Sequence, residues 1–125
     1  MEVQGGCLCG SVRYRSTAAP IVTRLCWCRV CQFLAAGNAS VNVCFSSSAF
    51  NIEGALSDYR SIADSGNVMH RRFGPSCGTP MFREAESRPH LIFVTTMDGG
   101  NAGNAGPVFS DARAHSTTRA LLNLR

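Results

Sequence analysis

Cysteine spacing constrains the fold of this chain more than any other feature of its sequence. Six of the seven cysteines form three tight groups, which are Cys7 with Cys9, then Cys26, Cys28 and Cys31, and then Cys77. Cysteines one or two residues apart can direct their sulfurs at one ion, and a tetrahedral zinc–thiolate site needs Zn–S distances near ~2.3 Å. An odd cysteine count also suits metal ligation better than a full disulfide framework. The spacing therefore predicts a zinc-binding protein.

The middle group, Cys26, Cys28 and Cys31, is called the 26–31 cluster here, and it has no evident fourth protein ligand. Structural zinc sites normally have four protein ligands, whereas catalytic sites have three and leave one position for water or substrate. The 26–31 cluster is therefore a candidate catalytic zinc site. The alternative is that all six grouped cysteines bind zinc of purely architectural function.

Length and composition predict one compact domain spanning residues 1–125, because apolar residues make up 45% and charged residues only 16%. We expect a cytoplasmic protein whose thiols stay reduced, since we recognise no signal peptide and no apolar run near the ~18 residues of a membrane span. The formal charge is +4, and the twelve basic residues, all arginine, are scattered along the chain. This scatter argues against nucleic-acid binding and is compatible with a small anionic substrate.

Alternating apolar and polar residues predict an all-β, or mainly β, fold. The predicted strands cover residues 11–16, 21–25, 40–45, 51–54, 56–62, 67–73 and 91–96. The one helical candidate is short, from 30 to 36, and is ended by Gly37. Residues 99–107, rich in Gly and Asn, are predicted to form a flexible loop, either a connector or a substrate-closing lid.

Three segments resemble the glutathione-dependent formaldehyde-activating enzyme family, which includes the centromere protein V group. They are residues 6–14 (GCLCGSVRY), 26–31 (CWCRVC) and 73–80 (FGPSCGTP), and their ordered combination is more specific than any one of them. Segments 50–60 and 94–98 are also similar to the family, so the resemblance covers most of the chain. It implies a β-tent fold of small antiparallel sheets meeting around zinc, with one catalytic and one structural metal site.

By this resemblance the 26–31 cluster holds the catalytic zinc. Three of the four structural ligands correspond to Cys7, Cys9 and Cys77, which are called the 7–77 cluster here. The fourth cysteine of the family pattern is replaced by Gly74. A substitute ligand from His70, an aspartate or Ser76 stays open, and so does the occupancy of this second site by zinc.

Residues beside the 26–31 cluster each allow two interpretations. Trp27, where the family commonly has histidine, is either a packing residue or a surface on which substrate stacks. Arg24 and Arg29 flank the cluster and are either solvated or bind a carboxylate of the substrate.

Four further residues are candidates of lower specificity. Cys44, within a predicted strand, is expected to be a small buried apolar residue. His90 is expected to be an ordinary histidine, whereas His115 lies where the family often has a histidine near the C-terminus, which makes it a weak candidate neighbour of the site. Asp98 precedes two glycines, so it either caps a turn or faces the metal.

The activity that the resemblance implies is that of a zinc-dependent carbon–sulfur lyase or adduct-forming enzyme. Glutathione, or another small thiol, would add to formaldehyde or a related carbonyl, and the reverse step would break the carbon–sulfur bond. Zinc suits this chemistry because a coordinated thiol loses its proton. The alternative is a non-catalytic zinc-binding module of the same fold.

Overall fold

The computed structural model describes residues 2–98 and 108–110, and these form a mainly β structure. The elements are β1 (Val3–Gly6), β2 (Arg13–Ser16), β3 (Val22–Cys26), α1 (Arg29–Leu34), β4 (Ser40–Ser46), a 3-10 turn (Ser47–Ala49), β5 (Phe50–Glu53), β6 (Ser57–Ile62), β7 (Val68–Phe73), β8 (Pro80–Ala85), β9 (Leu91–Val94) and β10 (Val108–Ser110). The predicted fold class, mainly β with little helix, is confirmed. None of the helical residues described belongs to a helix long and apolar enough to cross a membrane.

The strands form two sheets. One has three antiparallel strands in the order β1-β2-β5, and the other has seven strands in the order β10-β3-β4-β9-β8-β7-β6. Neighbouring strands are antiparallel throughout, apart from β10, which pairs with β3 in parallel. The expectation of antiparallel sheets therefore holds for every described pair except this one.

An aromatic cluster joins the two sheets. Tyr14 of β2 stacks on Phe50 of β5, with ring centroids 4.8 Å apart. Phe82 of β8 meets both rings edge-on, at 5.5 Å from Tyr14 and 5.7 Å from Phe50. Phe45 of β4 contacts Phe50 at 5.5 Å. Burying these rings against one another supplies a large apolar area together with favourable ring–ring geometry, so this cluster is the centre of the core.

All seven predicted strands are present, each within two residues of its predicted ends. The helix is also present, although it begins at Arg29 and ends at Leu34, before the predicted end at residue 36. It stops there because Ala36 and Gly37 take positive φ values of 54° and 93°, which a right-handed helix excludes. Strands β1, β8 and β10 were not predicted, and the predicted 99–107 loop lies outside the described residues.

Candidate metal centres and the adjoining cavity

The 26–31 cluster forms where β3 passes into α1. Cys26 is the last residue of β3, Cys28 is the N-cap of α1, and Cys31 lies in the first turn of that helix. The three sulfur atoms lie within 4.8 Å of one another, with Cys26 and Cys31 buried. A strand end followed at once by a helical turn thus brings three neighbouring cysteines to one point.

Hydrogen bonds within the 26–31 cluster distribute its protons unequally. The hydrogen bond from Cys26 lowers the pKa of Cys31 to about 7, and the Ser40 hydroxyl adds to this effect. The same interaction, together with burial, raises the pKa of Cys26. The Cys28 sulfur accepts a hydrogen bond from the Cys31 backbone N–H at 3.4 Å. Cys31 therefore becomes a thiolate, the form that binds metal, more readily than Cys26 does.

The 7–77 cluster joins two distant segments of the chain. Cys7 and Cys9 follow β1, and Cys77 lies in the loop between β7 and β8. Their sulfur atoms also lie within 4.8 Å of one another, and those of Cys7 and Cys9 are 3.6 Å apart. The structure therefore assembles the cysteine group that the resemblance proposed.

Hydrogen-bond donors surround the sulfurs of the 7–77 cluster. The Thr79 hydroxyl, 3.1 Å from the Cys77 sulfur, lowers the pKa of Cys77 to about 6. The Val12 backbone N–H, 3.3 Å from the Cys7 sulfur, lowers the pKa of Cys7. The Ser11 hydroxyl lies 3.1 Å from the Cys9 sulfur. Such donors stabilise thiolates and orient metal ligands, and the sequence analysis did not single out Ser11 or Thr79.

The fourth position of the 7–77 cluster lies at Gly74. A Cβ atom added there would lie 3.1 Å from the Cys77 sulfur and 3.5 Å from the Cys7 sulfur. His70 does not supply a substitute, because its two ring nitrogens contact Asp58 and Glu86 at 2.7 and 2.6 Å. These two carboxylates raise the pKa of His70. The space beside Gly74 is therefore where a fourth ligand would reach the cluster.

Both clusters suit zinc chemically. Thiolates are soft ligands that favour zinc over magnesium or calcium, and each cluster presents three of them at mutual distances that one ion can bridge. The position beside Gly74, which a cysteine Cβ would fill, supports the same conclusion for the 7–77 cluster.

Restoring a cysteine at Gly74 should strengthen the 7–77 cluster. We expect Gly74→Cys to bind zinc more tightly in chelator competition and to raise the melting temperature by about 4 °C or more, which corresponds to roughly 1 kcal/mol for a small domain. The new Cβ needs neighbouring atoms to move by only a few tenths of an ångström. Ser87→Cys, at an exposed position in the turn after β8 and outside both clusters, is the matched control and should change neither quantity. Equal behaviour of the two variants would contradict a metal site at this cluster.

A cavity of about 580 Å³ adjoins the 26–31 cluster. Cys31 lies on its wall, beside the end of α1, and the rest of the wall comes mainly from β4, β7 and β8. Gly78, the residue after Cys77, also contributes to the wall. This volume falls within the ~300–1,000 Å³ range of small-molecule sites. Most of the lining is apolar, and three arginines, Arg71, Arg72 and Arg83, contribute to it.

The other residues predicted near the 26–31 cluster do not line this cavity. Arg24 is exposed on β3, and the Arg29 guanidinium lies 4.7 Å from the centre of the Phe33 ring. Trp27 is half-buried, and its carbonyl accepts a hydrogen bond from the Gln32 side chain at 2.8 Å. The arginines on the cavity wall are instead those of β7 and β8, which were not predicted as site residues. The one feature of the sequence that could have indicated them is the adjacent pair Arg71-Arg72.

The remaining candidates have structural surroundings of their own. Cys44 is buried on β4, as predicted, and burial raises its pKa. His90 is exposed. Asp98 forms an ion pair with Arg13 at 2.6 Å, which lowers the pKa of Asp98. His115 lies outside the described residues.

Two cysteine triads and a ligand-sized cavity make this chain a small β protein with candidate thiolate metal centres. The sequence profile of the glutathione-dependent formaldehyde-activating enzyme family matches residues 2–110, so the chain belongs to that family. The crystal structure of a Rhodobacter sphaeroides protein, solved by structural genomics, is similar in fold, with a TM-score of 0.64 and 21% identity. The match covers 86% of this chain and 99% of the other. No curated protein sequence matches significantly.

Proposed function

We propose that this protein is a zinc-dependent enzyme that forms and cleaves the carbon–sulfur bond between a small thiol, such as glutathione, and formaldehyde or a related carbonyl. The observation that carries the proposal is the position of Cys31, which belongs to a metal-binding triad and also lies on the wall of the cavity. A ligand in the cavity can therefore place its sulfur beside the cluster.

In this proposal the three cysteines of the 26–31 cluster would hold zinc, and no fourth His, Cys, Asp or Glu ligand joins them among the described residues. The bound zinc would lower the pKa of the substrate thiol and thereby supply a thiolate nucleophile. The apolar cavity wall restricts water and orients the thiol towards Cys31. In the forward direction the sulfur electron pair forms a bond to the carbonyl carbon, and the C=O π electrons move to oxygen.

Proton transfer in this scheme involves water. The oxygen of the new hydroxymethyl group gains one proton while the thiol loses one, so the reaction is balanced without a redox partner. The described cavity wall has hydroxyl groups, from Ser40, Tyr59, Thr95 and Thr96, but no carboxylate or imidazole. We therefore assign no general acid or base to the described residues. We further propose a cytoplasmic location, because this chemistry needs thiols that stay reduced.

The experiment that tests this proposal measures exchange between free and glutathione-bound ¹³C-formaldehyde by NMR. We expect zinc-loaded protein to accelerate exchange and Cys31→Ala to return it to the uncatalysed rate. Cys44→Ala is the matched control, because Cys44 is buried outside both clusters, and it should retain the acceleration. Exchange at the uncatalysed rate with correctly loaded wild-type protein would exclude this reaction and favour the non-catalytic zinc module.

A further inference from the structure

Two arginines face each other on the wall of the cavity. Arg71 of β7 and Arg83 of β8 are directly opposite in the antiparallel pairing of these strands. Residues so placed project from the same face, with Cβ atoms about 4.5–5.5 Å apart, and like charges in this arrangement destabilise a sheet. Both arginines line the cavity that contains Cys31.

Neither arginine of this pair forms an ion pair with a carboxylate among residues 2–98. Arg71 donates one hydrogen bond from Nη1 to the Ser61 hydroxyl, at 2.8 Å. The Arg83 guanidinium lies 4.7 Å from the centre of the Phe93 ring. The Nε groups of both arginines are buried and have no hydrogen-bond partner among the described residues. Two permanent positive charges are thus held at the cavity without a negative partner in the part of the chain that the structure describes.

The nearby carboxylates are engaged elsewhere. Arg72, the residue after Arg71 on β7, contacts Glu84 at 3.3 Å. Glu86 and Asp58 contact His70 from two sides. The described cavity wall itself contains no acidic residue. A ligand that supplies negative charge would therefore relieve the repulsion between Arg71 and Arg83.

We propose that Arg71 and Arg83 form a carboxylate-binding subsite that selects anionic thiols. The planar guanidinium presents N–H groups in a fork that matches a carboxylate. Stacking on Phe93 uses the face of the Arg83 guanidinium and leaves its edge for such hydrogen bonds. This inference rests on the proposed function, because Cys31 marks the sulfur end of the ligand and the two arginines mark its carboxylate end. Glutathione, with two carboxylates and one thiol, has the required chemistry.

The test uses S-methylglutathione, whose blocked sulfur cannot act as a thiolate ligand. We expect zinc-loaded wild-type protein to bind it in calorimetry and Arg71→Gln or Arg83→Gln to weaken binding about tenfold or more, the effect of losing a hydrogen bond to a charged group. Arg60→Gln is the matched control, since Arg60 carries the same charge on the same sheet but does not line the cavity. Its affinity should stay within about twofold of wild type.

A second measurement needs no variant. The dimethyl ester of S-methylglutathione should bind wild-type protein about tenfold or more weakly than the free acid, because both carboxylate charges are removed. Equal affinity for ester and acid, or no binding of the acid, would overturn the subsite. Failure of the subsite is distinguishable from failure of the proposed function, because formaldehyde exchange that depends on Cys31 can persist without an anion subsite. Conversely, selective binding of the acid can persist in a protein that catalyses no exchange.

Discussion

Removal of zinc by a strong chelator should lower the melting temperature of this protein by at least about 10 °C. Metal binding to a site that exists only in the folded state contributes directly to the free energy of unfolding. Each kcal/mol lost corresponds to roughly 4 °C in a domain of about a hundred residues, so a contribution of a few kcal/mol gives a shift of this size. Thermal unfolding followed by circular dichroism, with and without chelator, measures it.

The 7–77 cluster accounts for much of this expected loss. It ties the segment after β1 to the loop between β7 and β8, seventy residues further along the chain. A metal crosslink between such distant segments restricts the unfolded chain more than one between near neighbours. The 26–31 cluster adds a local connection between β3 and α1.

Zinc added back in excess of the chelator is the control and should restore the original melting temperature. Cys44→Ala should respond to the chelator as wild type does, since Cys44 belongs to neither cluster. A melting curve that the chelator leaves unchanged would contradict a metal contribution to folding.

Three of the predicted strands, β2, β5 and β9, alternate along their length between more and less buried residues. β1 was not predicted because two of its four residues are glycine, which has a low strand propensity, even though Val3 is buried. β8 begins with Pro80 and contains two charged residues, so its pattern does not read as a strand. Residues 80–85 form a strand because they pair with β7 and β9, and this tertiary effect cannot be seen in the local sequence.

The grouping of the cysteines was predictable, whereas the cavity was not. Short spacing identifies the 26–31 cluster, and the resemblance supplied the link between Cys77 and the N-terminal cysteines. The opposition of Arg71 and Arg83 depends on strand register, which shifts between Arg72 and Phe73 at an irregularity. A slip of one residue exchanges the faces of a strand, so the sequence alone could not place these two side chains on one wall.

The central claim is that the 26–31 cluster holds a metal whose fourth position is open to a thiol in the cavity. Cobalt substitution tests it most directly, because thiolate-to-cobalt absorption increases with each sulfur bound to the metal. We expect glutathione to increase this absorption in the wild-type protein and in Cys77→Ala, which disrupts only the 7–77 cluster. Cys31→Ala should abolish the response while the cobalt signal of the 7–77 cluster persists. A wild-type spectrum that neither glutathione nor other small thiols change would contradict the account and identify a closed, structural site.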